Sequence, residues 1–260
     1  MPPPRVLVTR PAHEAQRWTD ALCARGVAAL ALPLIEIAPS PDRAALAQAW
    51  QGLAGHAALM FVSANAVRHF MAARPASAAF VAWPQAWGTG PGTEAALREA
   101  GWPVGQIRCP DAEAEQFDSE ALWARVADDV RLWAGRSVLI VRGADAQGQL
   151  AGRDWLAQRL TDAGLQVPQC VAYVRRAPQL DAAQLALARA ALHDGRWWLF
   201  SSSEAAVNLA QCLPGEIGPD ARALATHPRI AQRLREQGWG HVALVPAALE
   251  AQIASIECLP

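Results

Sequence analysis

Lysine is missing from these 260 residues; all 23 basic side chains are arginine. A P-loop sets a lysine on its phosphates, a pyridoxal enzyme holds its cofactor as a lysine Schiff base, and a class I aldolase attacks with a lysine amine. All three chemistries are excluded. Cysteine is scarce as well: Cys23, Cys109, Cys170, Cys212 and Cys258 form an odd, scattered set without a CxxC pair. That usage points to a reduced, cytoplasmic protein with no structural zinc site. No run of about eighteen apolar residues passes without a charge or a proline, so no membrane-spanning helix is expected. The opening MPPPRVLVTR enters a strand-like segment directly, and the expectation is a chain without a signal peptide. A net charge of −1 leaves no basic footprint for nucleic acid. GxSxG, HExxH and EF-hand patterns are absent. GTGPG (88–92) is not GxGxxG, and the first strand leads into TRPAHEA without a glycine, so a dinucleotide site is not expected.

What is present is a large apolar fraction, 52% of residues against 18% charged, which is enough to bury a substantial core. Short apolar runs alternate with helix-spaced patterns: strands over 5–9, 27–32, 57–62, 86–89, 137–141, 197–200 and 221–225, and helices over 12–24, 64–72, 93–100, 149–163, 204–212 and 229–237. Such alternation predicts parallel sheets covered by helices. The two halves also resemble each other. VLVTR (6–10) matches VLIVR (138–142), FVSANAV matches FSSSEAAV, and LREAGW matches LREQGW, in the same order and at nearly constant separation. Two related α/β units are therefore expected, and not a solenoid of many short periods. LPLIEIAPSP (32–41) and VPQCVAYVRRAP (167–178) are extended and proline-bounded. They read either as ordinary strands with loops or as paired connectors between the units.

Parallel strands deliver their carboxyl ends to the ligand-binding edge of a sheet. The residues just beyond the expected strands are Thr9 and Arg10; Ser63 and Asn65; Gly90 and Thr93 within TGPGT; Arg142 and Gly143; Ser201, Ser202 and Ser203; and Thr226. Any one hydroxyl there could be only a helix N-cap. As a set, with helix N-termini behind them, they suit a sizeable anionic ligand. Tyr173, the only tyrosine, lies in the second extended segment; it is either a packing aromatic or a neutral proton donor. The six histidines read as residues of polar helix faces and loops, with His227 placed most suggestively, at a strand end.

These segments together resemble the uroporphyrinogen-III synthase family over nearly the whole chain: VLVTRPAHEA, LPLIEIAP, FVSANAVRHF, GTGPGTEAALREAGWPV, VLIVRGADAQGQL, LTDAGLQVPQCVAYVRRAP, FSSSEAAV and ATHPRIAQRLREQGW. The resemblance implies two Rossmann-like or flavodoxin-like parallel-sheet α/β domains joined by a two-stranded β ladder, one of them discontinuous. The expected boundaries are 1–36 with 172–260, and 40–168, connected through 37–39 and 169–171, with the active site in the cleft between the domains. It implies a hydro-lyase that closes the linear tetrapyrrole hydroxymethylbilane to uroporphyrinogen III through a spiro intermediate, with ring D inverted, water lost and no cofactor or metal. By the same resemblance Tyr173 is the catalytic hydrogen-bond donor or general acid. Thr93, Ser63, Ser202 and Ser203 match family positions, and with Thr9, Arg10, Asn65, Gly90, Arg142, Gly143, Ser201 and Thr226 from the strand ends they form the expected substrate-binding set. The partner expected is that small molecule alone, with no nucleic acid or membrane, for a monomer in the cytoplasm. His227 stands where the family usually has glycine and Ile230 where it usually has threonine, which puts substrate binding by that turn in question.

Two other classes compete. A hinge-closing, non-catalytic binding protein for a small carboxylate would share the duplicated α/β architecture; it would close on a ligand without forming product. A pair of receiver-like domains would need an acidic cluster after the first strand and a lysine. This chain has Thr9 and Arg10 there and no lysine at all.

Overall fold

A computed structural model of the chain describes residues 5–75, 83–110, 119–150 and 155–258. The chain starts with β1 (Arg5–Val8), α1 (Ala12–Ala24) and β2 (Ala28–Ala31). There follow β3 (Glu36–Pro39), α2 (Arg43–Gln51), β4 (His56–Phe61), α3 (Ala64–Ala72), β5 (Gln85–Gly88), α4 (Pro91–Glu99) and β6 (Ile107–Arg108). Next come α5 (Ser119–Arg131), β7 (Ser137–Ala144), α6 (Trp155–Asp162) and β8 (Gln169–Arg176). The chain closes with α7 (Ala182–His193), β9 (Trp197–Phe200), α8 (Ser203–Cys212), β10 (Arg222–Ala225), α9 (Pro228–Glu236), β11 (His241–Leu244) and α10 (Leu249–Glu257). Two compact units result, one of residues 1–36 with 176–260 and one of 37–175.

The first unit is built on a five-stranded sheet in the order β11-β10-β9-β1-β2. All its neighbouring strands are parallel. A central parallel strand is covered on both faces, so it reads as a continuous apolar run and not as an alternation. Val6–Val8 and Trp198–Phe200 fit this: all six side chains are fully buried. Helix α1 contributes Ala15, Trp18 and Leu22, spaced three and four apart on one stripe, to a core with Val6, Val8, Trp197, Leu199 and Ile253.

The second unit carries a six-stranded sheet in the order β3-β8-β7-β4-β5-β6, parallel from β8 to β6. Its two faces are covered separately. Phe61, Phe70, Trp50 and Trp102 pack on one side, and Trp87, Leu122, Val126 and Leu160 on the other. The fold is thus of the expected class, two α/β units on parallel sheets with the first discontinuous in sequence. Leaving out β3, both sheets repeat one strand order. β1 and β7, which carry VLVTR and VLIVR, hold equivalent places, as do β9 and β4, which lead into FSSSEAAV and FVSANAV. The similarity between the halves of the sequence is therefore a similarity of strand position. The two extended segments become β3 and β8, neighbours in the six-stranded sheet. The chain passes between the units inside β3 and at the end of β8.

One expected element differs. The helix anticipated over 149–163 is described only from Trp155; Leu150 instead forms an isolated bridge with Ala144, and 151–154 lie outside the described residues. Asp145 captures the segment by accepting hydrogen bonds from the backbone N–H groups of Gln147 and Gln149, a turn that competes with helix.

Candidate functional site

In each sheet the strand order reverses once. The chain runs from β1 outward to β2 on one side and from β9 outward to β10 and β11 on the other, so the switch point falls between β1 and β9. In the second sheet it falls between β4 and β7. At such points the loops leaving adjacent carboxyl ends diverge and open a crevice for ligand. The candidate residues divide between these two edges: Thr9, Arg10, Ser201, Ser202, Ser203 and Thr226 at the first, Ser63, Asn65, Gly90, Thr93, Arg142, Gly143 and Tyr173 at the second.

Tyr173 is the best-defined group of the second edge. The pairing of β7 with β8 runs from Arg142–Val171 to Gly143–Tyr173, so Ala172 is an extra residue and β8 bulges there. A bulge re-aims a side chain; here Ala172 and Tyr173, adjacent in sequence, both join the cluster with Phe61 and Phe70. The Tyr173 ring lies directly over Gly143, where an added Cβ would collide with its Cζ. Its hydroxyl sits 3.2 Å from Ser63 Oγ, and either atom can donate. Ser63 is also the N-cap of α3, its Oγ accepting the Ala66 N–H at 3.2 Å. The ring of His69, on the same helix, lies 5.8 Å from that of Tyr173 at an interplanar angle of 29°. Burial, reinforced by the charge of Arg68, lowers the His69 pKa.

Around this tyrosine the remaining groups take different parts. Arg142 is 4% exposed and donates from Nη1 to Gln169 Oε1 at 2.9 Å. Gly90 is the N-cap of α4, and Pro91 at the first helical position adds no N–H to the helix end. Thr93 is a packing residue, buried with its Cγ2 against Gly88. Asn65 lies in the first turn of α3 and is partly exposed.

At the first edge, structural bonds already occupy some candidates. Thr9 is 1% exposed, and its hydroxyl donates to the Leu199 carbonyl at 2.8 Å, tying β1 to β9. Ser202 caps α8 by accepting the Glu204 N–H. Thr226 donates its backbone N–H to the Phe200 carbonyl, and Ser201 is partly exposed in the bend after β9. Arg10 differs from these. Its guanidinium lies 3.9 Å above the Trp18 ring and 3.4 Å from Glu14, with Nε buried and without a partner among the described residues. Burial lowers its pKa and Glu14 partly offsets this, so a cation is held at the sheet edge with modest compensation.

The turn in question resolves in two parts: His227 caps α9, its Nδ1 accepting the Arg229 N–H, while Ile230 is buried at 4% exposure. That turn therefore offers backbone and imidazole, with no hydroxyl at position 230. Beside it a depression of about 370 Å³ is lined by Ser202, Ser203, Arg229, Arg233 and Gln232 with the carboxylates of Glu204 and Glu236, and the buried Ser203 Oγ has no hydrogen-bond partner among the described residues. Arg229 and Arg233 escaped the sequence reading because they lie inside a helix and not at a strand end. His56 and His69 depart from the expectation of polar helix faces and loops: both are half-buried, and His56 Nδ1 lies 2.9 Å from Ser137 Oγ. His69 repeats the helical spacing of its apolar neighbours but is polar, so nothing in sequence marked it. Among the described residues no helix is long and apolar enough to cross a membrane, and no group of three His, Cys, Asp or Glu could hold a metal ion.

Comparison with known proteins bears on the family and the fold. A sequence model of the family HEM4, described as uroporphyrinogen-III synthase HemD, matches residues 16–251. A uroporphyrinogen-III synthetase from Helicobacter pylori is similar in fold, with a TM-score of 0.56 at 16% identity and 97% of each chain covered. A mutant uroporphyrinogen III synthase from the extreme thermophile Thermus thermophilus gives a TM-score of 0.53 at 18% identity over 98% of this chain and 97% of that one. Sequence and fold lead to one conclusion: the chain belongs to the uroporphyrinogen-III synthase family, hydro-lyases of tetrapyrrole biosynthesis.

Proposed function

We propose that the chain closes hydroxymethylbilane to uroporphyrinogen III, with Tyr173 as the proton donor. The observation that carries this reading is the seat of Tyr173, whose hydroxyl lies 3.2 Å from Ser63 Oγ beside the second switch point. The phenol gives its proton to the substrate hydroxyl, which leaves as water. The remaining carbocation is stabilised by its pyrrole. The substituted carbon of ring D attacks that carbon, forming the spiro intermediate. The bond from ring D to its original bridge then breaks and re-forms at the unsubstituted carbon, which inverts the ring. The hydrogen lost from that carbon as a proton restores the phenol. Ser63 keeps the phenol oriented and stabilises the transient phenolate by donating to it.

The substrate's many carboxylates call for fixed positive groups. Arg142 is a buried cation and Arg10 a partly buried one, each at the carboxyl edge of its sheet, and the N-termini of α3, α4, α8 and α9 present backbone N–H groups. Because the hydroxyls of Thr9 and Ser202 are engaged within the protein, those positions act through backbone and shape. The bilane can close to the symmetric isomer by itself, so the enzyme's contribution is conformational control of which carbon attacks. The reading includes a monomer working in the cytoplasm, with its five cysteines free; sedimentation of a stable dimer would contradict the first.

Tyr173→Phe tests the proposal. General acid catalysis contributes two or more orders of magnitude at most sites, and less where the leaving group is activated by its pyrrole; a loss of kcat of about ten-fold or more is expected. Urea unfolding should show the fold intact. Undiminished turnover would remove Tyr173 from the mechanism.

A further inference from the structure

Tyr173 is held on three sides, and two of the three contacts come from one helix. Gly143 leaves room for the ring, Ser63 meets the hydroxyl, and the His69 ring lies alongside at 5.8 Å. Helical side chains tilt toward the N-terminus of their helix. His69, six residues beyond the Ser63 cap, thus leans back toward the end of α3 that carries the hydroxyl contact. The pair geometry is within the range in which aromatic rings attract one another. The two members are unequally covered: Tyr173 is 5% exposed, whereas His69 is only partly buried. Burial and the charge of Arg68 disfavour protonation of this imidazole, which suits a ring set beside the apolar cluster that contains Tyr173.

We propose that His69 is a positioning residue, whose ring holds the Tyr173 phenol against Ser63 at the sheet edge. It touches no reacting atom, and its effect on the reaction passes through Tyr173. The inference rests on the proposed role of Tyr173, and variants of the two residues separate them.

The single tyrosine makes the test direct. Protein grown with ring-¹³C tyrosine gives one ring spin system, so the environment of Tyr173 is read without assignment. In His69→Ala that signal should shift and broaden while the rest of the spectrum keeps its dispersion. Turnover should fall about two- to ten-fold, the worth of one aromatic pair, in kcat and not in KM. His69→Phe restores a ring and should return both signal and rate toward those of the parent. In a Tyr173→Phe background, His69→Ala should have almost no further effect.

Three results decide against the proposal. A His69→Ala protein with parental rate and tyrosine signal would end the role of His69 and leave Tyr173 in place. An equal loss in both backgrounds would mean that His69 acts by another route. Should Tyr173→Phe itself turn over like the parent, the reading on which the inference rests would fail. If His69→Ala does not fold, His69→Leu against His69→Phe makes the same comparison, and equal rates for the two overturn the positioning role.

Discussion

Gly143 is the residue whose replacement is most instructive. Its backbone needs no unusual torsion; the constraint is the Tyr173 ring, whose Cζ, Cε2 and Cε1 would all lie within 2.8 Å of an added Cβ. The ring cannot retreat without giving up either Ser63 or the cluster around Phe61 and Phe70. Gly143→Ala is therefore expected to lose about 1–3 kcal/mol of stability, the usual cost of overpacking. It should also lose activity in step with Tyr173→Phe, because a displaced phenol does no more than an absent one. Urea unfolding and turnover measured on the same preparation check both; an alanine protein with full activity would mean that the ring is not fixed in this seat. The sequence named Tyr173 and Gly143 separately, but nothing in it paired them. Their contact depends on the bulge at Ala172, which has no signature in CVAYVRR.

At the scale of elements, the carboxyl-edge serines serve two purposes that can be separated. Ser63 caps α3 and bonds to Tyr173, whereas Asp181 caps α7 through a full capping box with Gln184 and lies in neither switch point. Each loses about 1 kcal/mol of stability on replacement by alanine. Only Ser63→Ala should also slow turnover, and that pair of variants measures how much of the Ser63 effect is helix capping. Equal activity in the two would contradict a role for the Ser63 hydroxyl beyond the cap.

Most of the strands and helices were legible from periodicity, because central parallel strands such as VLIV and WWLF are uninterrupted apolar runs. The candidate site was legible as a series of strand ends, for the same topological reason. Helices α2, α7 and α10 carry weak apolar stripes and were not legible, whereas α5 has a clear one, with Leu122, Val126 and Val130 four residues apart, that the strand-and-helix alternation did not include. The engagement of Thr9 with Leu199, the burial of Thr93 and the contact of His69 with Tyr173 are long-range facts with no local trace.

Over the whole molecule, two histidines tie stability to pH. Burial lowers the pKa of His56, and burial with the neighbouring Arg68 lowers that of His69, relative to an ordinary value of 6.5. Between that value and the lowered ones the unfolded chain binds more protons than the folded protein. Stability therefore declines as pH falls through about 6.5 and is reduced in full once the folded-state values are passed. Urea midpoints at pH 8 and pH 5.5 should show the decline, and His56→Gln should flatten part of it. A midpoint higher at pH 5.5 would contradict the direction.

The central claim concerns which carbon of ring D ends up bonded, and a product-isomer measurement addresses it most directly. Freshly generated hydroxymethylbilane is mixed with the purified protein, the products are oxidised, and isomers I and III are separated by chromatography. The account predicts predominantly isomer III, formed faster than spontaneous closure. Isomer I alone, at the spontaneous rate, would contradict it.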